Sequence, residues 1–296
     1  MKKIVSLTIL AVMLAFTAQG AWAEGPFPAP MTDGYYGPSG IATPNSGGFG
    51  GTGYEVYSAV NSLLGTSFTN NAQIDNLEYT GDASTWQQTG SGGYDVIGLG
   101  AAATNTLEVY NMNTPSTLIS PLGTGFSGTG ATGNGTISSP YVGSASAAFP
   151  VGTQFGVAIK SVYTPTPPTQ FTTPPNGYTW YSNPALNSDG MDHMLAYNLS
   201  SLTGTQIYIS DPHTGLTTPI TLSDPYLLAF EDIPITNTVT GAPADLDYND
   251  FTVLINGVAP VPEPITVALF GVGLLAMAGF ALRRKLPFVG NLAFAG

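Results

Sequence analysis

Between Tyr54 and Val258 the apolar residues come in short runs rich in Val, Ile, Tyr and Phe, separated by clusters of Gly, Pro, Ser, Thr and Asn. Runs of that length and composition make strands joined by turns, whereas long amphipathic helices need apolar residues at three- and four-residue spacing over several turns. The spacing predicts strands over Gln73–Tyr79, Tyr94–Leu99, Leu107–Asn111, Phe155–Val162, Met194–Leu199, Gln206–Ser210, Pro225–Glu231 and Asp250–Ile255. That series fits a mainly β fold, a jelly-roll-like β-sandwich. One short helix is expected over Tyr54–Leu64, where Val56, Val60, Leu63 and Leu64 share a face. Pro121–Ser139 and the Pro-rich Thr164–Tyr178 are expected to be mobile surface loops.

The chain has no cysteine, which excludes disulfides, Cys-zinc sites and thiol catalysis. The fold must therefore hold by packing, with a metal as the available supplement. Six basic residues are distributed very unevenly. Lys2 and Lys3 open the chain, Arg283, Arg284 and Lys285 lie near its end, and Lys160 stands alone between. Seventeen of the 18 acids fall in 24–262, giving that stretch a net charge of −16. Nucleic-acid binding needs Lys and Arg to displace counterions from phosphates, so that class is excluded.

The ends explain the asymmetry. Residues 1–23 read as a signal peptide: the two lysines, an apolar run from Ile4 to Phe16, and Ala21-Trp22-Ala23 at the cleavage position. The partners this implies are a Sec translocon and a signal peptidase. A Gly/Pro-rich leader (24–53) follows, then the β domain (54–258) and a Pro-rich linker (259–264). Ile265–Leu282 is an uncharged apolar run long enough to cross a bilayer as a helix. Arg283, Arg284 and Lys285 form a stop-transfer cluster that resists translocation and keeps this end inside, with residues 286–296 as a short tail.

Val261-Pro262-Glu263-Pro264, the apolar helix and the basic cluster together resemble the PEP-CTERM sorting signal of exosortase substrates. The resemblance implies recognition of Pro262, Glu263 and Pro264 by a membrane-embedded, cysteine-protease-like exosortase. It also implies delivery to the cell surface or its exopolysaccharide matrix, with the helix as a transient membrane anchor. Upstream, YSNPALNSDGMDHMLAY (181–197), LLAFEDI (227–233) and DLDYNDF (245–251), with weaker similarity through NTLEVYN (105–111), resemble domain-of-unknown-function family 4114. That resemblance implies a β-rich fold and a suspected calcium site.

The residues suggest a cation site on their own chemistry. Glu231-Asp232 ends one expected strand, and Asp245-Leu246-Asp247-Tyr248-Asn249-Asp250 opens the next. If those strands pair, Glu231, Asp232, Asp245, Asp247, Asn249 and Asp250 converge, which suits a hard cation taking six to eight oxygens, Ca2+ before zinc. Position six of this segment is Asp250 where an EF-hand needs Gly, and position twelve is Asn256 where it needs Glu, so the segment is not an EF-hand. The competing account is that Asp and Asn only shape the turn. Asp189, Asp192 and His193 form a possible second polar site, for which a structural hydrogen bond from His193 is the expected role.

Enzyme motifs do not take hold. Gly48–Gly53 satisfies G-x-G-x-x-G without the preceding strand that a dinucleotide site requires. No G-x-S-x-G, H-E-x-x-H or P-loop occurs, and His193 and His213 are the whole histidine complement. The expectation is a non-catalytic, exported surface protein. The alternative is a glycosidase, which needs only two carboxylates across a cleft, or a carbohydrate-binding module in which Phe171, Tyr178, Trp180 and Tyr181 would stack on sugar rings, residues that core packing or loop anchoring explains equally well.

Overall fold

The structure, a computed structural model, describes residues 55–69, 73–79, 82–100, 103–128, 130–144, 146–163, 176–234 and 248–261. It is mainly β. One helix, α1 (Val56–Leu64), ends where Gly65 turns left-handed (φ 65°) and its N–H closes on Asn61 O. Fourteen strands follow among the described residues: β1 (Trp86–Gln88), β2 (Tyr94–Leu99), β3 (Thr104–Asn111), β4 (Leu118–Ile119), β5 (Gly130–Ala131), β6 (Tyr141–Ser144), β7 (Gln154–Val162), β8 (Tyr178–Tyr181), β9 (Met194–Asn198), β10 (Gln206–Ser210), β11 (Thr217–Thr221), β12 (Tyr226–Phe230), β13 (Phe251–Ile255) and β14 (Val258–Pro260).

They form two sheets. The first runs β14-β1-β7-β3-β4, with β8 also on β7; the second runs β11-β10-β6-β2-β13-β12-β9, with β5 on β2. Pairing is antiparallel except between β6 and β10. Alternate residues of β3 and β7 (Leu107, Val109, Phe155, Val157, Ile159) pack against Val96, Leu228, Phe230, Phe251 and Val253 of the second sheet. The opposite face of the second sheet is apolar as well: Ile97, Leu227, Ala229 and Leu254 lie in one cluster with Val56, Ala59 and Val60 of α1. Strands β2, β12 and β13 are therefore buried at every position. For this reason their sequences do not alternate: β12 is apolar throughout, and β2 and β13 break their runs only at Asp95, Gly98 and Thr252.

Several expected boundaries shift. Gln73–Tyr79 is not a strand: Asp75–Leu77 makes a 3-10 turn, and only Glu78 bridges to Tyr197. The Gly-rich stretch 121–139 is tied down rather than loose. Leu122 is buried, Phe126 and Asn105 exchange two backbone hydrogen bonds of 2.7 Å, and Gly130–Ala131 pairs with β2. Most of the Pro-rich loop, 164–175, lies outside the described residues, but its expected last residue, Tyr178, opens β8. Ala259 and Pro260, expected in a linker, belong to β14 and pair with β1.

The turn after β13 folds back so closely on residues 92–93 that a Cβ on Gly92 would lie 1.6 Å from the carbonyl oxygen of Asn256. Both groups are backbone, so no rotamer relieves the overlap. Gly92→Ala is expected to cost about 2–3 kcal/mol, read as a lower denaturant midpoint at unchanged slope. A variant as stable as the parent would show that this approach is not tight.

Candidate metal centre

The antiparallel register between β12 and β13 sets Phe230 opposite Phe251. The residues just beyond, Glu231-Asp232 on one strand and Asn249-Asp250 on the other, therefore meet at the same end of the sheet. Glu231, Asp232 and Asp250 each place one carboxylate oxygen within 4.8 Å of the others, with the first two buried and Asp250 half-buried. The Asp232 N–H donates to Asp250 Oδ2 (2.9 Å), which locks the two strand ends together.

Asp232 reaches across to the first sheet. Its Oδ1 accepts from the Tyr163 hydroxyl (2.7 Å), its Oδ2 from Asn105 Nδ2 (2.9 Å), and its carbonyl from the Trp180 indole N–H (2.7 Å). Burial first, and then the charges of Asp232, Asp250 and Glu231, push the Tyr163 phenol far above its ordinary pKa. It remains a neutral donor to the carboxylate.

His193 immediately precedes β9, the neighbour of β12. The Glu231 N–H donates to His193 O (3.0 Å), and the ring Nδ1 lies 3.1 Å from Glu231 O. The other ring nitrogen, Nε2, pairs with Asp189 Oδ2 at 2.9 Å. The ring stacks on Trp180 (centroids 3.7 Å apart, 9° between planes). Asp192 accepts the Tyr248 hydroxyl on its carbonyl (3.0 Å), and Tyr248 holds a left-handed backbone (φ 50°) that non-glycine residues seldom adopt. The second polar group thus abuts the acidic cluster through the backbone of Glu231, behind the carboxylates.

Asn249 is buried, its Oδ1 so close above Gly100 that a Cβ there would lie 2.3 Å away. Asp245 and Asp247 lie outside the described residues, as do Phe171, Pro262, Glu263, Pro264, Arg283, Arg284 and Lys285. The described chain ends at Val261, whose N–H donates to Thr85 O (2.9 Å), one residue before the Pro-Glu-Pro element. Among the described residues no helix is long and apolar enough to cross a membrane; 265–282 lies outside them.

Of the aromatics weighed between sugar stacking and core packing, two belong to the core. Trp180 is fully buried and Tyr178 nearly so, stacked on each other inside the core, so their faces are not available to sugar rings. Tyr181 packs edge-on against Tyr110. Conversely, Asn105, the first residue of NTLEVYN, Tyr163 and the Trp180 N–H reach the acidic cluster with no sequence signal that ties them to it. Each lies at least 52 residues from Asp232 along the chain.

Fold and cluster define a two-sheet β domain with a buried acidic end. Residues 260–285 match the PEP-CTERM protein-sorting motif, which marks the chain as an exported, membrane-associated surface protein processed by an exosortase. No curated protein and no solved structure matches the chain.

Proposed function

We propose that the domain is a non-catalytic, calcium-stabilised β-sandwich of jelly-roll-like build that serves a structural or adhesive role at the cell surface or in its exopolysaccharide matrix. The signal peptide would bring it through the Sec translocon, and exosortase would act on Pro262-Glu263-Pro264. The resemblance of 181–251 to family 4114 points the same way.

The convergence of Glu231, Asp232 and Asp250 within 4.8 Å carries this reading. Like charges at that spacing repel by about 3 kcal/mol per pair at an effective dielectric of 20. A hard divalent cation removes that cost and matches an all-oxygen donor set. With no cysteine in the chain and His193 hydrogen-bonded away from the cluster, the donors fit calcium better than zinc.

Full-length protein in detergent, melted with saturating calcium and again with EDTA, tests the reading. At a hundredfold excess over Kd, binding adds about 2.7 kcal/mol, or about 5–10 °C in Tm for a domain of this size. Identical melting in the two conditions would remove calcium from the account.

A further inference from the structure

We infer that the cation joins the two sheets, with the Asn105 side-chain oxygen on β3 as a ligand opposite the three carboxylates. This rests on the calcium reading above.

The carboxylates all come from strand ends of the second sheet, whereas Asn105 belongs to the first. Asn105 is fully buried, and its Nδ2 lies 2.9 Å from Asp232 Oδ2, so its amide group sits at the edge of the cluster. The amide's other end is the telling atom: Oδ1 is buried with no hydrogen-bond partner. A buried carbonyl oxygen with no donor beside it is costly, and a hard cation held by Asp232 is the kind of partner it lacks. The backbone of Asn105 is held by its paired bonds to Phe126, which fixes where the side chain starts.

The geometry permits ligation without moving the chain. Amide nitrogen and oxygen exchange places when the terminal torsion turns by half a revolution. That rotation sets Oδ1 2.9 Å from Asp232 Oδ2, where Nδ2 now stands. Calcium–oxygen bonds of about 2.3–2.6 Å leave neighbouring ligand oxygens about 3 Å apart. The amide therefore donates to Asp232 without the cation and ligates with it, Nδ2 then giving up its bond to Asp232 and taking the place Oδ1 leaves. Three carboxylates and one neutral oxygen from the facing sheet then close this end of the molecule.

Asn105→Asp separates a ligand from a mere hydrogen-bond donor. It keeps an oxygen for the cation, abolishes the donor and adds a negative charge. Isothermal titration of full-length protein with calcium chloride is expected to show Asn105→Asp binding at least as tightly as wild type and Asn105→Ala at least tenfold more weakly. Asn105→Asp should also melt lower than wild type in EDTA, which widens its calcium-dependent shift. Wild-type affinity in Asn105→Ala overturns the inference and leaves the calcium reading standing, as does weaker binding by Asn105→Asp than by wild type. Should Asn105→Ala fail to fold, Asn105→Asp alone decides. Absence of any calcium binding by the wild type overturns both.

Discussion

In saturating calcium, Asp232→Ala is expected to lower stability by about 3–6 kcal/mol, and in EDTA by much less. The side chain accepts hydrogen bonds from Tyr163 and Asn105. Bonds to a charged acceptor contribute about 1.5–3 kcal/mol each, and both donors would be left buried without one. Opposing this, the substitution relieves repulsion with Glu231 and Asp250, about 3 kcal/mol per pair within 4.8 Å at an effective dielectric of 20. Without a cation the two effects nearly cancel; with one, the repulsion is already neutralised and the lost bonds dominate. Urea unfolding in both conditions measures the difference. An equal loss in calcium and EDTA would mean that Asp232 is a hydrogen-bond acceptor and nothing more. Asp232→Asn retains one acceptor oxygen and should fall between the parent and the alanine variant.

The second large effect lies away from the cluster. Asp95, in the middle of the second sheet on β2, is fully buried, and neither carboxylate oxygen has a hydrogen-bond partner. It shares the face that α1 covers, with Tyr141 nearby, whose hydroxyl is bonded to Ser62 (2.6 Å). Gly143, its register partner on β6, leaves room for the carboxyl, since a Cβ there would lie 2.0 Å from Asp95 Oδ1. Burial raises the Asp95 pKa well above its ordinary 3.8. The folded state thus holds a proton that the unfolded chain releases, and stability falls as pH climbs above about 4, by up to about 1.4 kcal/mol per unit while the proton is retained. Asp95→Asn keeps the shape and removes the titration. The two proteins are expected to melt alike near pH 4, with the asparagine variant pulling ahead by about 3–5 °C per pH unit above it. A gap independent of pH, or one favouring Asp95 at neutral pH, would place a partner beside that carboxylate.

The same two sites show how far the sequence reaches. The strands over Pro225–Glu231 and Asp250–Ile255 were legible, because two apolar runs bounded by acids and turn residues give both strand type and end, whereas their pairing came from the structure. The meeting of Glu231 and Asp232 with Asp250 follows directly from that pairing. Tyr94–Leu99 and Gln206–Ser210 have the bounds their alternation or apolar runs predict. Short strands such as β1, β5 and β14 were not legible, since two or three residues carry no period and take their structure from the neighbour they pair with. Trp180 read as an exposed aromatic for a similar reason. A Y-T-W-Y run does not say which of its faces meets a second sheet.

Local chemistry thus determined the sorting motif, the β character and the acidic strand ends, because a sorting motif and strand periodicity are written in contiguous residues. Which sheet faces which, and so which neutral groups come to rest on Asp232, was decided only by tertiary packing. Asn105 and Tyr163 reach that carboxylate across 127 and 69 residues of chain, a separation at which sequence pattern carries no distance information and only the pairing and stacking of whole sheets sets position.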